Sequence, residues 1–480
     1  MLLRHSSYYL LARGMPGLVN FAALAVYTRL LAPDEFGRYA LVLTAVGLAN
    51  VLLFQWLRLV LGRFLQAHHH EPERFLAGIL ALFLTLAVPV TGIGAMLAWW
   101  WPDPVWQRLV ALAVVLLLAQ AWFELNLALA RARLKPAWYA RLLGTKALVA
   151  LSVGGLLAWF GLGAAAPVAG LIVAHVLAFL VFGLASWRGV LPRWPEATAL
   201  RSQLRYGLPL TVTFALGWVI SGSDRLLLAW LMDEGAVGVY AAGYDLAFQS
   251  LTLVLTIINT AAFPLAVKAL ERYGLHEANE QMRQNGELIV AAALAGAVGL
   301  WVLGPYIVAL IIGEAFRADA LRLLPWVAFA SALAGIKAYH FDMAFHLGRD
   351  SRWLIVTAGV AATVNLILNI VLIPTYGIMG AAWATLGAFS IAIVISALLG
   401  PRAFAMPKTG PLLVKGVLVS GAVGAAAWAG ASFWETNWAS LSGGSISGLA
   451  AVVAVGLALN LSGSRQAMLR FARNRLLESR

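Results

Sequence analysis

Charged side chains inside long apolar stretches are the residues of this sequence that could do chemistry. An ionisable group in such a stretch is costly and usually faces a cavity or a partner, so each is a candidate site. Four are acids and five are cations: Glu124, Asp224, Asp245, Asp342, Arg13, Arg58, Lys146, Arg225 and Lys337. Surplus positive charge suits an anion, because Arg offers oxygens a planar fork of donors and Lys a mobile point charge. We therefore predict that the five cations bind an anionic group.

Other roles for these charges stay open at this stage. Arg13 and Arg58 are close enough to the ends of their stretches to snorkel to a membrane interface. Glu124 is predicted to neutralise a nearby cation. Asp224 and Asp245 are candidates for binding a coupling ion or for forming charge pairs. For Asp245, the candidate partner in a charge pair is Arg225 or Lys337.

Uncharged polar residues extend these candidate sites along helical faces. In the eighth apolar stretch, Asp245 begins a polar stripe that runs for about four turns at i, i+4, i+7, i+11 and i+14. Asn20 falls on the face of Arg13, and Asn50 on the face of Arg58. These stripes predict either a hydrophilic cavity or polar contacts between helices. The predicted cavity-lining residues are Asn20, Asn50, Gln249, Thr252, Thr256 and Asn259.

Histidine and cysteine give little support for metal or cofactor chemistry. His175 and His340 could titrate near neutral pH, but a hydrogen-bonded structural role is the commoner one for a membrane histidine. The run His68–His70 has no second ligand cluster, and the chain has no cysteine. No GxGxxG, Walker or HExxH pattern occurs. We predict no metal site and no cofactor.

Composition shows what kind of element must position these residues. Of 480 residues, 62% are hydrophobic and 11% are charged, whereas a soluble domain has about 45–50% and about 25%. No water-exposed globule could bury this much apolar surface. The sequence therefore predicts an all-α polytopic membrane protein.

About 14 stretches are long enough to span a bilayer, which takes roughly 20 apolar residues. They cover residues 8–31, 38–64, 76–101, 106–130, 138–160, 163–186, 206–231, 236–266, 288–312, 319–347, 353–373, 377–399, 411–433 and 441–463. The first is interpreted as an uncleaved anchor, since it lacks a persuasive cleavage site.

Basic residues alternate between the ends of these stretches. If both termini are cytoplasmic, most of the 34 basic residues fall on the inner side, as the positive-inside rule requires. Topology then accounts for the net charge of +13, and nucleic-acid binding is not predicted. The basic segment 465–480 is predicted to be a cytoplasmic tail, either solvated or lying on anionic lipid.

Two sequence motifs recur in the two halves of the chain. Gly37–Ala40 (GRYA) is echoed by Gly238–Ala241 (GVYA), and the turn at 160–165 is echoed at 376–382. Transporters are often built from such repeats, with the substrate site between them. We predict two pseudo-symmetric six-helix lobes, residues 1–186 and 206–399. A cytoplasmic linker at 187–205 joins them, and two extra helices follow at 400–464.

Two runs resemble a known family. Residues 28–39 (TRLLAPDEFGRY) and 373–382 (IPTYGIMGAA) resemble the outer turns of bacterial polysaccharide repeat-unit flippases. These belong to the multidrug/oligosaccharidyl-lipid/polysaccharide exporter superfamily. The resemblance implies an inner-membrane flippase that moves an undecaprenyl-pyrophosphate-linked oligosaccharide, an O-antigen, capsule or exopolysaccharide unit, to the periplasmic leaflet by alternating access. Its implied partners are that lipid-linked oligosaccharide, membrane lipids, polysaccharide polymerase machinery and a coupling ion, H⁺ or Na⁺.

Two rival functions remain. A drug or cation antiporter of the same superfamily would be expected to carry buried carboxylates in the N-terminal lobe. The first stretch instead offers Arg13 and no acid before Asp34. A membrane-bound polysaccharide polymerase or ligase would need a sizeable water-facing segment, but the longest predicted loops, 187–205 and 267–286, are about 20 residues each. We predict a transporter, not an enzyme.

Overall fold

The computed structural model describes residues 17–68, 70–350 and 352–464, and these form helices and no β-strand. Fourteen helices of ten or more residues occur in this part of the chain, which confirms the predicted all-α fold. They are α1 Gly17–Leu30, α2 Pro33–Phe64, α3 Pro72–Trp100, α4 Pro104–Ala132, α5 Pro136–Trp159, α6 Ala165–Phe182, α7 Ala197–Leu231, α8 Glu234–Tyr273, α9 Leu275–Ile311, α10 Glu314–Leu347, α11 Arg352–Tyr376, α12 Ile378–Ala403, α13 Thr409–Ser432 and α14 Asn437–Ala458.

Thirteen of the helices in the described residues are long and apolar enough to cross a membrane, and α1 adds a shorter apolar helix. Many of their large apolar side chains face outward, such as Val88 and Leu398. Trp99 and Trp100, at the end of α3, are also exposed, in the position where tryptophan anchors a helix at a membrane interface. The chain is therefore a multi-pass membrane protein.

Proline sets the start of four successive helices. Pro33, Pro72, Pro104 and Pro136 each occupy the first turn of α2 to α5. A helix tolerates proline there, because the missing N–H would have no intrahelical partner and the fixed φ already suits a helix. Asp103 adds a cap to α4, since its side chain accepts a hydrogen bond from Val105 N at 2.9 Å. These residues place the helix ends more sharply than hydropathy does.

The predicted loop at 267–286 is wrong. Helix α8 continues to Tyr273 and α9 begins at Leu275, so that Gly274 alone separates them. Gly274 has a φ of +87°, which glycine adopts without a Cβ penalty. Hydropathy follows the lipid-facing length of a helix and misses a polar extension into water. For the same reason α7 begins at Ala197, inside the predicted 187–205 linker.

Contacts divide the chain into two compact units, residues 1–241 and 242–480, with the division inside α8. In the first unit, α2 packs against α4 and α7, and α5 against α6. Its core includes Phe54, Leu57 and Leu116. In the second unit, α9 packs against α10 and α13, and α11 pairs with α12. The lobe boundaries drawn from the sequence stay a prediction.

Candidate functional site

The main charged centre of the first unit joins α2 to α4. Arg58 on α2 forms an ion pair with Glu124 on α4, and it also donates to Gln55 one turn earlier. The side chains of Arg58 and Glu124 are mostly buried. Helical spacing brings Asn50 to the same face as Arg58, two turns away. Its side-chain amide donates to Glu124 Oε2 at 3.1 Å.

Glu124 is satisfied on both oxygens. Besides Arg58 and Asn50, Gln120 Nε2 donates to Oε1 at 3.0 Å from one turn earlier on α4. Glu124 therefore accepts hydrogen bonds from one guanidinium and two side-chain amides. The guanidinium keeps unused capacity, because Arg58 Nε is buried without a hydrogen-bond partner.

A second cation of the first unit lies on α5. Lys146 is partly buried, and no acid among the described residues pairs with it. It interacts electrostatically with His175 on α6. The His175 ring is buried edge-on against Phe123, with ring centroids 4.9 Å apart. Lys146 is therefore a basic side chain without an acidic partner in the part of the chain that the structure describes.

A cluster at the start of α8 ties three helices of the first unit together, and we call it the clasp. Arg38 on α2 forms an ion pair with Glu234, the first residue of α8, and lies 3.6 Å from Asp34. Trp106 on α4 donates from Nε1 to Glu234 Oε1 at 2.7 Å. The clasp is Arg38, Trp106 and Glu234. The distribution of basic residues along the sequence predicts that this end of the helices lies on the outer side of the membrane.

The two recurring glycine motifs meet beside the clasp. A Cβ on Gly37 would collide with the carbonyl of Glu234, and a Cβ on Gly238 would collide with the carbonyl of Pro33. Each glycine therefore lets the first turn of the other helix approach at backbone distance. Sequence comparison found the echo between the motifs, but nothing in the spacing indicated that they touch.

The predicted residues of α7 are also placed. Asp224 is buried and accepts a hydrogen bond from Tyr240 Oη at 2.7 Å. Arg225 follows it and is partly buried. Asn20, on α1, is exposed. Arg13 lies outside the described residues.

In the second unit, Lys337 pairs with Asp342, and the alternatives for Asp245, a coupling ion or a pair with Arg225 or Lys337, stay a prediction. The Lys337 ammonium lies 2.7 Å from Asp342 Oδ2, and Ser396 on α12 donates to Asp342 Oδ1 at 2.9 Å. Lys337–Phe341 is a π-helical turn of α10. This turn brings residues five apart together, whereas an α-helix pairs residues three or four apart. A search at helical spacing therefore misses the pair.

The polar stripe of α8 lies on one helix, as its spacing requires, and its role in lining a cavity stays a prediction. Thr256 shares a hydrogen bond of 3.0 Å with Tyr339 Oη on α10. Asp245 and the other members, Gln249, Thr252 and Asn259, are partly buried. Asn259 Oδ1 is buried with no hydrogen-bond partner.

Two polar groups of the second unit escaped sequence analysis. Asn369 donates to Asn365 Oδ1 at 3.1 Å, and Asn365 donates to Thr385 at 3.4 Å, which joins α11 to α12. All three are buried. The i, i+4 spacing of two asparagines in an apolar helix is a signal that could have found them. The second group centres on Glu287 of α9, placed by hydropathy at the edge of a loop.

Glu287 is only 2% exposed and accepts from three directions. Arg283 on the same helix forms an ion pair with it, and Lys415 of α13 lies 2.6 Å from Oε1. The backbone N–H of Ser462, just after α14, donates to Oε2 at 2.8 Å. One carboxylate thus holds α13 and the end of α14 against α9.

Comparison with known proteins gives the same fold and one family. The sequence profile of a family described as polysaccharide biosynthesis proteins matches residues 26–320. No curated protein sequence gives a significant match.

Solved structures of membrane transporters resemble the chain over most of its length. The lipid II flippase MurJ, in an inward closed conformation, matches with a TM-score of 0.74 and 12% identity, over 95% of this chain and 99% of that one. An inward-facing multidrug resistance MATE family transporter of the MOP superfamily matches with 0.63 and 14%, over 81% and 94%. A MOP superfamily transporter from Pyrococcus furiosus matches with 0.60 and 14%, over 83% and 94%. At these identities the likeness concerns the fold.

Proposed function

Because the chain belongs to the family of polysaccharide biosynthesis proteins, we propose that it is a flippase for a lipid-linked oligosaccharide. The cargo would be an undecaprenyl-pyrophosphate-linked repeat unit, moved from the cytoplasmic to the periplasmic leaflet of the inner membrane. The fold supports this proposal, since a lipid II flippase matches nearly the whole of both chains. Polymerase machinery that consumes the flipped unit would be its functional partner, and H⁺ or Na⁺ its coupling ion.

The observation that carries the proposal is that Lys146, a basic side chain within an apolar helix, has no acidic partner among the described residues. A charge within an apolar helix is costly unless something pairs with it, and among the described residues no acid does. An anionic ligand would supply the missing counterion, and the pyrophosphate of a lipid carrier has that chemistry. Arg58 would assist through its unpartnered Nε, while Arg13, Arg225 and Lys337 stay secondary candidates. For Lys337, the pair with Asp342 argues against a free role.

The clasp supports alternating access. Gly37 and Gly238 let α2 and α8 meet at backbone distance, and Arg38 and Glu234 add an ion pair at the crossing. Such a closure is held by short-range contacts that separate as a unit, which suits a gate with two discrete states. In the predicted orientation, opening the clasp would expose the path to the outer side of the membrane.

The rival functions have less support. A cation antiporter needs an available carboxylate, but both oxygens of Glu124 already accept hydrogen bonds. A polymerase or ligase needs reactive groups that both water and substrate can reach. The folds that match this chain are instead those of transporters and flippases, which favours transport over an enzymatic reaction.

Complementation of a strain lacking this gene tests the proposal. Wild type should restore surface polymer and clear the lipid-linked precursor that accumulates in the inner membrane. Lys146→Ala should lower the export rate about 10- to 100-fold, since hydrogen bonds to charged groups contribute about 1.5–3 kcal/mol. Lys146→Arg should keep much of the activity, because the charge remains.

Lys268→Ala is the matched control, because it removes one exposed lysine from α8. All variants must be compared at equal membrane abundance. Full export by Lys146→Ala would reject the anion site. Failure of the wild type to clear the precursor would reject the flippase itself.

A further inference from the structure

A cavity of about 340 Å³ opens where the linker between α6 and α7 crosses the start of α3. We call it the linker pocket. Its walls come from the turn after α2, the first turns of α3, residues 193–196 of the linker and the first turns of α7. Its size lies in the range of small-molecule sites. It is separate from the membrane cations, since neither Arg58 nor Lys146 lines it.

The walls of the linker pocket are fixed by contacts. Arg193 N donates to Ala77 O at 3.1 Å, which pins the linker to α3. Arg74 on α3 donates to Glu196 Oε1 at 2.8 Å, which joins α3 to the linker. The rings of two other lining residues, His68 and Phe75, stack with centroids 4.8 Å apart. A ligand would therefore meet a formed site and would not have to order the linker itself.

The charges that line the linker pocket cancel. Arg74 contacts both Glu71 and Glu196, and Arg193 brings the second positive charge. Two guanidinium groups and two carboxylates give no net attraction for an anion or a cation. Together they provide both donors and acceptors at close range. The pocket thus favours a neutral ligand with many hydroxyl groups.

Two further residues indicate that the ligand contains a ring. Trp194 is 59% exposed although it lines the pocket, so its indole is available as an apolar platform. Gln203 is only 5% exposed and its Oε1 has no hydrogen-bond partner. An unpaired buried acceptor is destabilising, and a hydroxyl group of a ligand would satisfy it. An apolar face edged by hydroxyl donors describes a sugar.

We propose that the linker pocket binds a neutral sugar ring of the glycan that the protein carries. The identity of that glycan as cargo rests on the proposed function, whereas the sugar chemistry rests on the pocket residues. The protein then has two recognition sites, one for the anionic carrier at Lys146 and one for the sugar at the linker. Specificity among glycans would be decided at the linker pocket.

The absence of cysteine from the chain allows a direct binding test in detergent. Ala199→Cys places one thiol in the pocket wall, and its rate of alkylation by a maleimide is measured. The probes are methyl glycosides of glucose, galactose and N-acetylglucosamine, with inorganic pyrophosphate as a non-sugar anion. At a concentration of about twice Kd, a bound glycoside should slow labelling about threefold.

Trp194→Ala in the same background should abolish this protection, and Trp438→Ala, which removes another exposed tryptophan, should leave it intact. Glu435→Cys, a thiol in an exposed turn, should show no protection. Lipid-linked oligosaccharide can be extracted from the strain that lacks this gene. If the cargo itself is the ligand, this extract should protect the Ala199→Cys thiol at a lower concentration than a free glycoside does. Equal protection by both would assign the site to soluble sugars and overturn the link to cargo.

Protection by pyrophosphate, or by no glycoside, would overturn the proposal. The assay requires no transport, so it can fail while complementation by the wild type succeeds. The reverse result, sugar binding without precursor clearance, would sink the flippase function and leave the sugar site standing.

Discussion

At the residue scale, the Arg58–Glu124 ion pair is the main charged centre of the first unit. Bringing two charges out of water costs several kcal/mol per ion, and their attraction offsets this only when hydrogen bonds complete the site. Asn50 and Gln120 provide those bonds on the side of the carboxylate. Glu124 therefore cancels the charge of Arg58, and under the proposed function Lys146 is the cation that binds the anionic cargo.

Removing Glu124 should be worse for stability than removing the whole pair. Glu124→Gln leaves the buried guanidinium uncompensated and should destabilise the protein by about 3 kcal/mol. The double variant Arg58→Met with Glu124→Met should recover most of that loss, because no charge is left behind. Apparent Tm values in detergent test this order. Arg322→Met, which removes an exposed arginine, is the control.

A measurement of polymer export distinguishes the structural role of the Arg58–Glu124 pair from a role of Arg58 in binding the cargo. The double methionine variant should fold and still export polymer more slowly than wild type, since Arg58 Nε is one of the proposed donors to the cargo. Export at the wild-type rate would show that Arg58 serves stability alone. Equal Tm values for the single and double variants would contradict the account of the ion pair.

At the element scale, Glu287 holds the two last helices to the rest of the second unit. It is one buried acceptor shared by Arg283, Lys415 and the Ser462 backbone. Glu287→Gln would take from Lys415 its acidic partner and would leave Arg283 paired with Glu280 alone. We expect a loss of about 3–5 kcal/mol in the local stability of α13 and α14.

Hydrogen exchange measures that local loss. Amides of α13 and α14 should exchange faster in Glu287→Gln, whereas those of α11 and α12 should not change. Glu280→Gln is a matched control, because Glu280 also pairs with Arg283 but is far more exposed. Uniformly faster exchange across the unit would show that Glu287 supports the whole fold and not this attachment.

The sequence allowed the helices to be predicted better than the contacts between them. Long apolar runs identify membrane helices, because lipid demands about the same length from each. The polar extension of α8 to Tyr273 was missed, since hydropathy stops where lipid stops. The Lys337–Asp342 pair was missed because a π-turn changes the spacing. Glu287 was missed because its partners Lys415 and Ser462 lie more than a hundred residues away.

The same contrast holds for the candidate site. Costly charges such as Arg58, Glu124 and Lys146 stand out in any apolar helix, so their types and positions could be predicted. The packing of α2, α4 and α5 decides which cation has an acidic partner. No local sequence pattern contains that information. The linker pocket was missed entirely, because its lining residues are ordinary in a polar loop until the fold brings them together.

At the scale of the whole molecule, the proposed function requires alternating access to the two sides of the membrane. The clasp joins the start of α8 to α2 and α4 within the first unit. We predict that, in the proposed transport cycle, α2 and α8 separate at Gly37 and Gly238 once in each cycle. A covalent link across that crossing should stop transport.

The pair Arg38→Cys with Glu234→Cys tests this requirement in the naturally cysteine-free chain. A membrane-impermeant, reducible bis-thiol reagent added to intact cells should link α2 to α8 and abolish surface polymer, and a reductant should restore it. Asp319→Cys with Arg322→Cys is the control, because that link lies within one helix on the same predicted side. It should leave export unchanged. Polymer export that persists in the linked clasp would contradict alternating access through this crossing, and linkage only after permeabilisation would show that the predicted orientation is inverted.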